Sequence, residues 1–262
     1  MYKTLLTPRW IITSILVMIA MIVMIRLGIW QLDRLKQRKD FNSRVSAQVN
    51  QPILDLNNDV PSEKLMGMEF RKVKVFGEYN FSQEIALRNQ YWQNQWGVHL
   101  VTPLHINGHE KTILIDRGWI PANDFQSMEW SKFNEPGLVE IEGIIRNSQT
   151  KADYGNRSDE VSDIEDNHLD AWNFVNIPQI SRQTSNDLLP VYIQQAPDQS
   201  WRNLPYRTQP ELDLTDGPHL GYAIQWFSFA AILGIGYPIF IRRQLNQSKA
   251  TPNDQINTHK NI

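Results

Sequence analysis

The sequence contains no cysteine, and this absence excludes several classes of site at once. Without thiols the chain has no means of forming disulfides, CxxC redox pairs, thiolate zinc sites or cysteine-based copper-delivery sites. Neither sign of charge is in excess, since 26 lysines and arginines against 28 aspartates and glutamates leave a formal net charge of −2. Because nucleic-acid-binding domains usually carry a basic face, we expect no binding to nucleic acid.

Common catalytic motifs are absent as well. The sequence contains no GxxxxGK[ST] phosphate loop, no HExxH zinc helix and no GxSxG nucleophile turn. The carboxylates are scattered without a partner at a defined spacing, as is usual for solvated charge. We therefore predict a protein that is not an enzyme.

The first long apolar run, residues 10–25, carries no charge, and further apolar residues follow it. At about 1.5 Å per residue it approaches roughly 30 Å, the thickness of the hydrocarbon core of a bilayer. Lys3 and Arg9 before it are also typical of a signal peptide, but no small-residue cleavage site follows the run. We predict an uncleaved transmembrane helix over residues 10–30, preceded by a short cytoplasmic N-terminus over residues 1–9.

A second apolar run, residues 220–241, reads LGYAIQWFSFAAILGIGYPIFI and also carries no charge. Two arginines follow it, so the positive-inside rule places the C-terminal tail, residues 242–262, in the cytoplasm. Within the run, Ala230 and Gly234 form a small-xxx-small pair of the kind that allows another helix to approach closely. The sequence therefore predicts a multi-pass protein. The lack of an Arg-rich and Ser-rich transit peptide favours the inner (plasma) membrane of a bacterial cell.

Residues 31–219, between the two spans, are predicted to form an extracytoplasmic β-rich domain. Its segments alternate apolar and polar residues, which is typical of half-buried antiparallel strands: FRKVKVFGEYN, EIALRNQY, GVHLVTPLHI, KTILIDRGWI, VEIEGIIRN, AWNFVNI and LPVYIQ. An acidic stretch near 151–170 lacks an apolar period and is expected to be an exposed loop. The predicted fold class is an α+β membrane protein, in which two terminal transmembrane helices flank a mainly antiparallel extracytoplasmic β domain.

Asn107-Gly108 between two alternating segments predicts a two-residue hairpin turn, because both turn positions favour positive φ. With such a turn, the numbers of paired residues sum to 215, which pairs His105 with Glu110. The same sum pairs His99 with Asp116, unless Pro103 introduces a bulge that shifts the register. His105 and His109 then point to opposite faces. We therefore expect exposed strand histidines here in preference to a metal site.

His219 differs from the other histidines because it lies where the second span begins, after Gly217-Pro218. On a helix, His219, Tyr222, Ala223, Trp226 and Ala230 share one face, which places an imidazole beside two large aromatic rings just inside the membrane. A flat macrocycle with a coordinating iron would fit such a surface, with the imidazole as axial ligand. The alternative is an ordinary aromatic belt with a histidine at the helix start.

Six segments in this order resemble the Surfeit locus protein family of cytochrome c oxidase assembly factors, over nearly the whole chain: LGIWQLDRLKQRK, GEYNF, WGVHLVTPL, ILIDRGWIP, WNFVNIP and HLGYAIQWFSFA. The resemblance implies an accessory factor for biogenesis of haem-copper cytochrome c oxidase, which assists delivery of haem A to subunit one or its retention there. It implies as partners subunit one, other oxidase assembly factors and membrane lipid. The alternative is a membrane-anchored scaffold that stabilises nascent subunits without binding haem.

For individual residues, the resemblance implies that His219 is the axial ligand of a transiently bound haem A iron, with Tyr222 and Trp226 beside it. In ILIDRGWIP, Arg117 could contact a haem propionate or an acidic partner. Its guanidinium could equally stack on Trp119 or on a neighbouring ring. The sequence leaves these two roles of Arg117 open.

Overall fold

A computed structural model places residues 7–58, 62–127, 129–151, 159, 169–184, 186–198, 200–209 and 212–250. The chain divides into two compact units, the first formed by Met1–Ser43 with Leu214–Ile262 and the second by Arg44–Asp213. Most of the predicted acidic loop near 151–170 lies outside the described residues. So do most of residues 1–9 and residues 251–262 of the predicted tail.

In chain order the elements are α1 (Pro8–Val49), β1 (Leu54–Asp55), α2 (Ser62–Leu65), β2 (Lys72–Tyr79), β3 (Ile85–Trp92), β4 (Gln95–Ile106), β5 (Thr112–Pro121), α3 (Ala122–Gln126), β6 (Leu138–Asn147), β7 (Ala171–Trp172), α4 (Ile177–Ile180), β8 (Leu188–Gln195) and α5 (His219–Ala250). Short 3₁₀ helices lie at Met66–Met68, Phe81–Gln83 and Trp130–Phe133. The protein therefore combines long terminal helices with a β-rich central part.

Helices α1 and α5 are both long and apolar enough to cross a membrane, in agreement with the two predicted spans. At about 1.5 Å per residue, α1 measures roughly 60 Å, which is twice the thickness of the hydrocarbon core. It therefore continues well beyond the predicted span, residues 10–30. The side of the membrane that each end faces stays a prediction.

Within the first unit, small residues of α1 and α5 lie against side chains of the facing helix. Ala230 is 6% exposed. A Cβ added to Gly234 would lie 2.9 Å from the methyl group of Met21, and one added to Gly28 would lie 2.7 Å from the ring of Phe227. These contacts are made by side chains of the facing helix, so close approach of the two helix backbones at Ala230 and Gly234 stays a prediction.

The second unit contains one eight-stranded sheet in the order β1-β2-β6-β8-β5-β4-β3-β7. Strand β2 also pairs with β4, so β2, β6, β8, β5 and β4 form a closed ring. The pairs β2–β4, β2–β6, β3–β4, β4–β5 and β6–β8 are antiparallel, whereas β1–β2, β3–β7 and β5–β8 are parallel. Closure leaves the five ring strands with hydrogen-bonded neighbours on both sides.

The interior of the ring is apolar because the strands direct alternate side chains inward. This main core includes Val73, Val75, Leu104, Ile113, Ile115, Ile141, Ile145, Val191 and Ile193. Strands β4 and β5 are buried on both faces and are not the half-buried strands that their sequence predicted. The reason is a second apolar layer outside the ring, in which Trp172, Val175 and Ile177 pack against Val101 and Leu114.

The predicted register of the β4–β5 hairpin is wrong. His105 pairs with Thr112, and residues 107–111 form a longer turn whose backbone is tied to β2 by a hydrogen bond. A bulge between Leu100 and Val101 then shifts the pairing again, so that His99 lies opposite Trp119. The Asn-Gly pair alone did not determine the register, because Asn107 is also bound to strand β2: its backbone amide donates to the carbonyl oxygen of Phe76.

Gly97→Ala is expected to lower the free energy of unfolding by about 3 kcal/mol. A Cβ at this position would overlap the carbonyl oxygen of Ile120 and the indole of Trp119 on the paired strand. The matched control is Gly67→Ala, because nothing lies within 4 Å of a Cβ there. Urea unfolding of the full chain in detergent, followed by circular dichroism, should show a lower midpoint for Gly97→Ala alone. Equal midpoints would contradict the close approach of β4 and β5.

Candidate functional site

The predicted site residues are divided between the two units. His219, Tyr222 and Trp226 lie on α5 in the first unit, and Arg117 lies on β5 in the second.

His219 is the first residue of α5, and the residues around it explain why the helix begins there. Gly217 has a φ of 68°, a value that favours glycine, and Pro218 follows it. The backbone amide of Tyr222 donates to the carbonyl oxygen of Pro218 at 3.2 Å, which starts the helical hydrogen-bond series. The imidazole is thus fixed at the helix end that the sequence predicts to lie at the membrane boundary.

The segment before His219 is tied to α1 by polar contacts. Arg38 donates from Nε to the carbonyl oxygen of Thr215 at 3.0 Å, and the amide of Asn42 donates to that of Leu214 at 2.8 Å. These bonds join residues more than 170 positions apart in the sequence. They limit the positions that the start of α5, and therefore His219, can adopt relative to α1.

The two nitrogens of the His219 ring differ in their surroundings. Nδ1 lies 2.8 Å from the side-chain oxygen of Gln31 on α1. Among the described residues, Nε2 has no hydrogen-bond partner. A Cβ on Gly217 would lie 3.7 Å from Nε2, so the glycine leaves this side of the nitrogen uncovered by a side chain. A half-buried imidazole with one engaged nitrogen and one accessible nitrogen is a donor set that fits an axial iron ligand.

The aromatic rings near His219 lie beside the helix contact and not within it. Ala223 is only 1% exposed and packs in the contact between helices, whereas Tyr222 is 47% exposed. Trp226 is half-buried, and its ring lies 6.2 Å from that of Phe229 in an edge-on arrangement. Phe229 was not predicted as a site residue, although its spacing of three from Trp226 could have indicated it. The rings form an open lateral surface on α5.

Arg117 lies inside the second unit, with its side chain fully buried. Nη1 donates to Glu84 at 2.7 Å, and Nη2 lies 3.2 Å from a carboxylate oxygen of Glu135. The guanidinium carbon is 5.0 Å from the ring centre of Tyr79 and 5.1 Å from that of Phe81. These contacts are those of a cation stacked on neighbouring rings, which was one of the two roles predicted for Arg117. The rings that Arg117 contacts are those of Tyr79 and Phe81, and not the ring of Trp119.

Burial changes the acid–base properties of the groups around Arg117. It raises the pKa of Glu84 above the usual carboxyl value. The nearby Arg117 charge and a hydrogen bond from Thr102 oppose this rise. Burial also raises the pKa of the Tyr79 hydroxyl. Within the cluster, the guanidinium favours the ionised form of Glu84 and burial disfavours it.

The sequence placed His99 opposite Asp116, and their side chains form a buried pair with 3.0 Å between Nδ1 and Oδ2, although their backbones are not register partners. The expectation of exposed strand histidines is wrong for His99, which is 8% exposed because β4 is covered on both faces. A further feature of the second unit was missed from the sequence. At the tip of the β3–β4 hairpin, Tyr91 is 69% exposed and Trp96 is 42% exposed. Trp92, between them in sequence, lines a cavity of about 330 Å³.

Among the described residues, no three metal-ligating side chains come together.

Comparisons with known proteins agree on one family. The model of the SURF1 family matches residues 18–231. A SURF1-like protein of Rickettsia conorii is 30% identical over 238 residues, covering 89% of this chain and 92% of the relative. A SURF1-like protein of Caenorhabditis elegans is 23% identical over 243 residues, covering 86% and 72%. Surfeit locus protein 1 of Takifugu rubripes is 22% identical over 220 residues, covering 78% and 87%.

Proposed function

This chain belongs to the SURF1 family, and from that membership we propose that it is an accessory factor in the biogenesis of haem-copper cytochrome c oxidase. In this proposal it assists delivery of haem A to subunit one, or holds the haem there until assembly proceeds. Haem A is the cargo of the protein and not a resident group. The proposal assigns no catalytic step to the chain.

The observation that carries the proposal is the geometry of His219. Its Nδ1 is engaged by Gln31 at 2.8 Å, and Gly217 leaves one side of Nε2 uncovered by a side chain. Nε2 is therefore available as an axial ligand, and Tyr222 and Trp226 supply apolar rings for the macrocycle. One protein ligand and an open lateral surface suit a cargo that must leave again, because each additional ligand would slow its release.

The proposal rests on α5 and does not require Arg117. A propionate contact from Arg117 would require its guanidinium to give up Glu84 or Glu135, both of which lie within hydrogen-bonding distance. Removing a partner from a buried charge is costly. We therefore propose that Arg117 stabilises the β-rich unit and leaves haem contacts to the helix.

The site would operate at a membrane surface. We propose that α1 and α5 span the inner (plasma) membrane and that the β-rich unit lies on its extracytoplasmic side, with basic residues after the second span retained in the cytoplasm. The proposed partners are cytochrome c oxidase subunit one, other oxidase assembly factors and membrane lipid. His219 would then meet subunit one at the edge of the bilayer.

A second candidate function is a scaffold that stabilises nascent oxidase subunits without binding haem. The exposed aromatic side chains of Tyr91 and Trp96 favour it, because exposed tyrosine and tryptophan are enriched at protein interfaces. Both functions place the protein beside subunit one. They differ in whether haem A touches this chain.

Deletion of the gene tests the proposed function in a haem A-producing host. We expect membranes of the deletion strain to contain severalfold less haem A in subunit one, measured from reduced-minus-oxidised spectra, and a plasmid copy to restore it. Subunit one polypeptide that accumulates without haem supports delivery. Loss of the polypeptide together with its haem supports the scaffold. Normal amounts of fully haemylated oxidase would overturn both.

A further inference from the structure

A neutral imidazole carries its proton on one of two nitrogens, and only the other nitrogen has a lone pair for a metal. The hydrogen bond made by one nitrogen selects the form that the ring adopts. In this protein the side-chain oxygen of Gln31 lies 2.8 Å from Nδ1 of His219. With the Gln31 amide oriented so that its oxygen faces the ring, that oxygen only accepts, and we infer that the proton is on Nδ1 and the lone pair on Nε2.

The position of Gln31 is fixed by the packing of α1. One turn earlier, Gly28 lies against the ring of Phe227, with no room for a side chain between the helices. Beyond Gln31, Asn42 donates to the backbone before α5. Gln31 is half-buried between these two fixed points. Its amide is thus held at the helix interface and does not swing freely in solvent.

The space on the other side of the ring agrees with this assignment. Gly217 carries no side chain where a Cβ would lie 3.7 Å from Nε2, and no described residue pairs with Nε2. The nitrogen left without a proton by Gln31 is therefore also the nitrogen that a ligand can reach.

We propose that Gln31 is a positioning residue that holds His219 with its proton on Nδ1 and presents the Nε2 lone pair to a metal centre in a flat macrocycle. The identity of that macrocycle as haem A rests on the proposed function. The tautomer of the ring does not, because it is a property of the protein without cargo. An NMR measurement on the haem-free chain therefore tests the role of Gln31 separately from the proposed function.

The first test reads the tautomer directly in the full chain without haem. Nitrogen NMR of ¹⁵N-histidine-labelled protein in detergent, at about pH 8 where histidine is neutral, distinguishes the two forms, and His219→Ala identifies the signal. We expect the proton of His219 on Nδ1 in the wild type and in Gln31→Glu, whose carboxylate also only accepts. In Gln31→Leu the form with the proton on Nε2 should gain population. Gln225→Leu on exposed α5 surface is the matched control and should match the wild type.

The second test titrates each purified variant with haem A and follows its absorption spectrum. Gln31→Leu should bind about tenfold more weakly, the usual loss when a partner of a metal-ligating histidine is removed. Gln31→Glu and Gln225→Leu should bind as the wild type does. A merely structural Gln31 would not be rescued by glutamate, since a charge at the helix interface would disturb packing further.

Two results would overturn the positioning role. The first is a wild-type His219 with its proton on Nε2. The second is a Gln31→Leu variant with the wild-type tautomer and the wild-type haem affinity. A wild-type chain that binds no haem A would instead overturn haem delivery as the proposed function, and the NMR result would still decide the role of Gln31.

Discussion

Arg117→Ala is expected to lower the free energy of unfolding of the β-rich unit by about 3–5 kcal/mol, the usual cost of removing one partner of a buried ion pair. The side chain of Glu84 is 4% exposed and would lose a charged hydrogen bond of 2.7 Å. The rings of Tyr79 and Phe81 would lose the guanidinium, whose carbon lies 5.0 Å and 5.1 Å from their centres. Urea unfolding of the full chain in detergent, followed by circular dichroism, measures the loss.

Arg146→Ala is the matched control for Arg117→Ala. Arg146 also lies over an aromatic ring, at 4.9 Å from Phe70, and is 3.6 Å from Glu69, but its side chain is 23% exposed. Water can therefore replace part of what the substitution removes, so the expected cost is about 1 kcal/mol. Equal costs for the two arginines would contradict a special role for the buried cluster. The double variant Arg117→Met with Glu84→Gln should recover much of the lost stability, because Glu84 is then uncharged and Glu135 keeps Arg207 as its partner at 2.9 Å.

The loss in Arg117→Ala should also depend on pH. Burial already raises the pKa of Glu84, and removing Arg117 removes the charge that opposes this rise. A carboxyl with a higher pKa in the folded state binds more protons than in the unfolded state, so stability falls as pH rises between those two pKa values. The penalty of the substitution should accordingly be smaller in mild acid than at neutral pH. A penalty independent of pH would mean that Glu84 finds another partner.

The strands were predictable from the sequence because alternation is a local signal. The observed strands β2 to β6 begin and end within two residues of the predicted segments. The predicted strand AWNFVNI is wrong beyond its first two residues, since only Ala171–Trp172 form β7, which pairs parallel with β3. The closure of the ring and the parallel pairing of β5 with β8 were not predictable. They join residues that are distant in sequence and depend on packing of the whole unit.

In the candidate site, too, the contacts within one helix were predictable, whereas the contacts between distant segments were not. Helical spacing alone placed His219, Tyr222 and Trp226 together, since the period of a helix is known in advance. Gln31 belongs to the family-like segment LGIWQLDRLKQRK, but its contact with His219 was not predicted, because the two residues are 188 positions apart and meet only when two helices pack. For Arg117, the sequence could not decide between a ligand contact and a stacked cation, because its acidic partners come from other segments of the chain.

His219→Ala is expected to abolish stable haem binding, with a loss in affinity on the order of a hundredfold or more. Removing an outer partner of a ligating histidine already costs 10–100-fold, and here the ligand itself is lost. The full chain, purified in detergent from a haem A-producing host, should show a haem spectrum in the wild type and none in His219→Ala. Free imidazole added to the variant should restore part of the spectrum, because it can occupy the space that the side chain leaves.

His105→Ala is the control for this experiment, because His105 is an exposed strand histidine in the other unit. Its spectrum should equal that of the wild type, which excludes haem held by surface histidines in general. An unchanged spectrum in His219→Ala would remove His219 from the mechanism, whatever the role of the protein in oxidase assembly. If the wild type is free of haem yet co-purifies with subunit one, and His219→Ala does so equally, the scaffold function explains the result. The exposed rings of Tyr91 and Trp96 are then the surface to alter next.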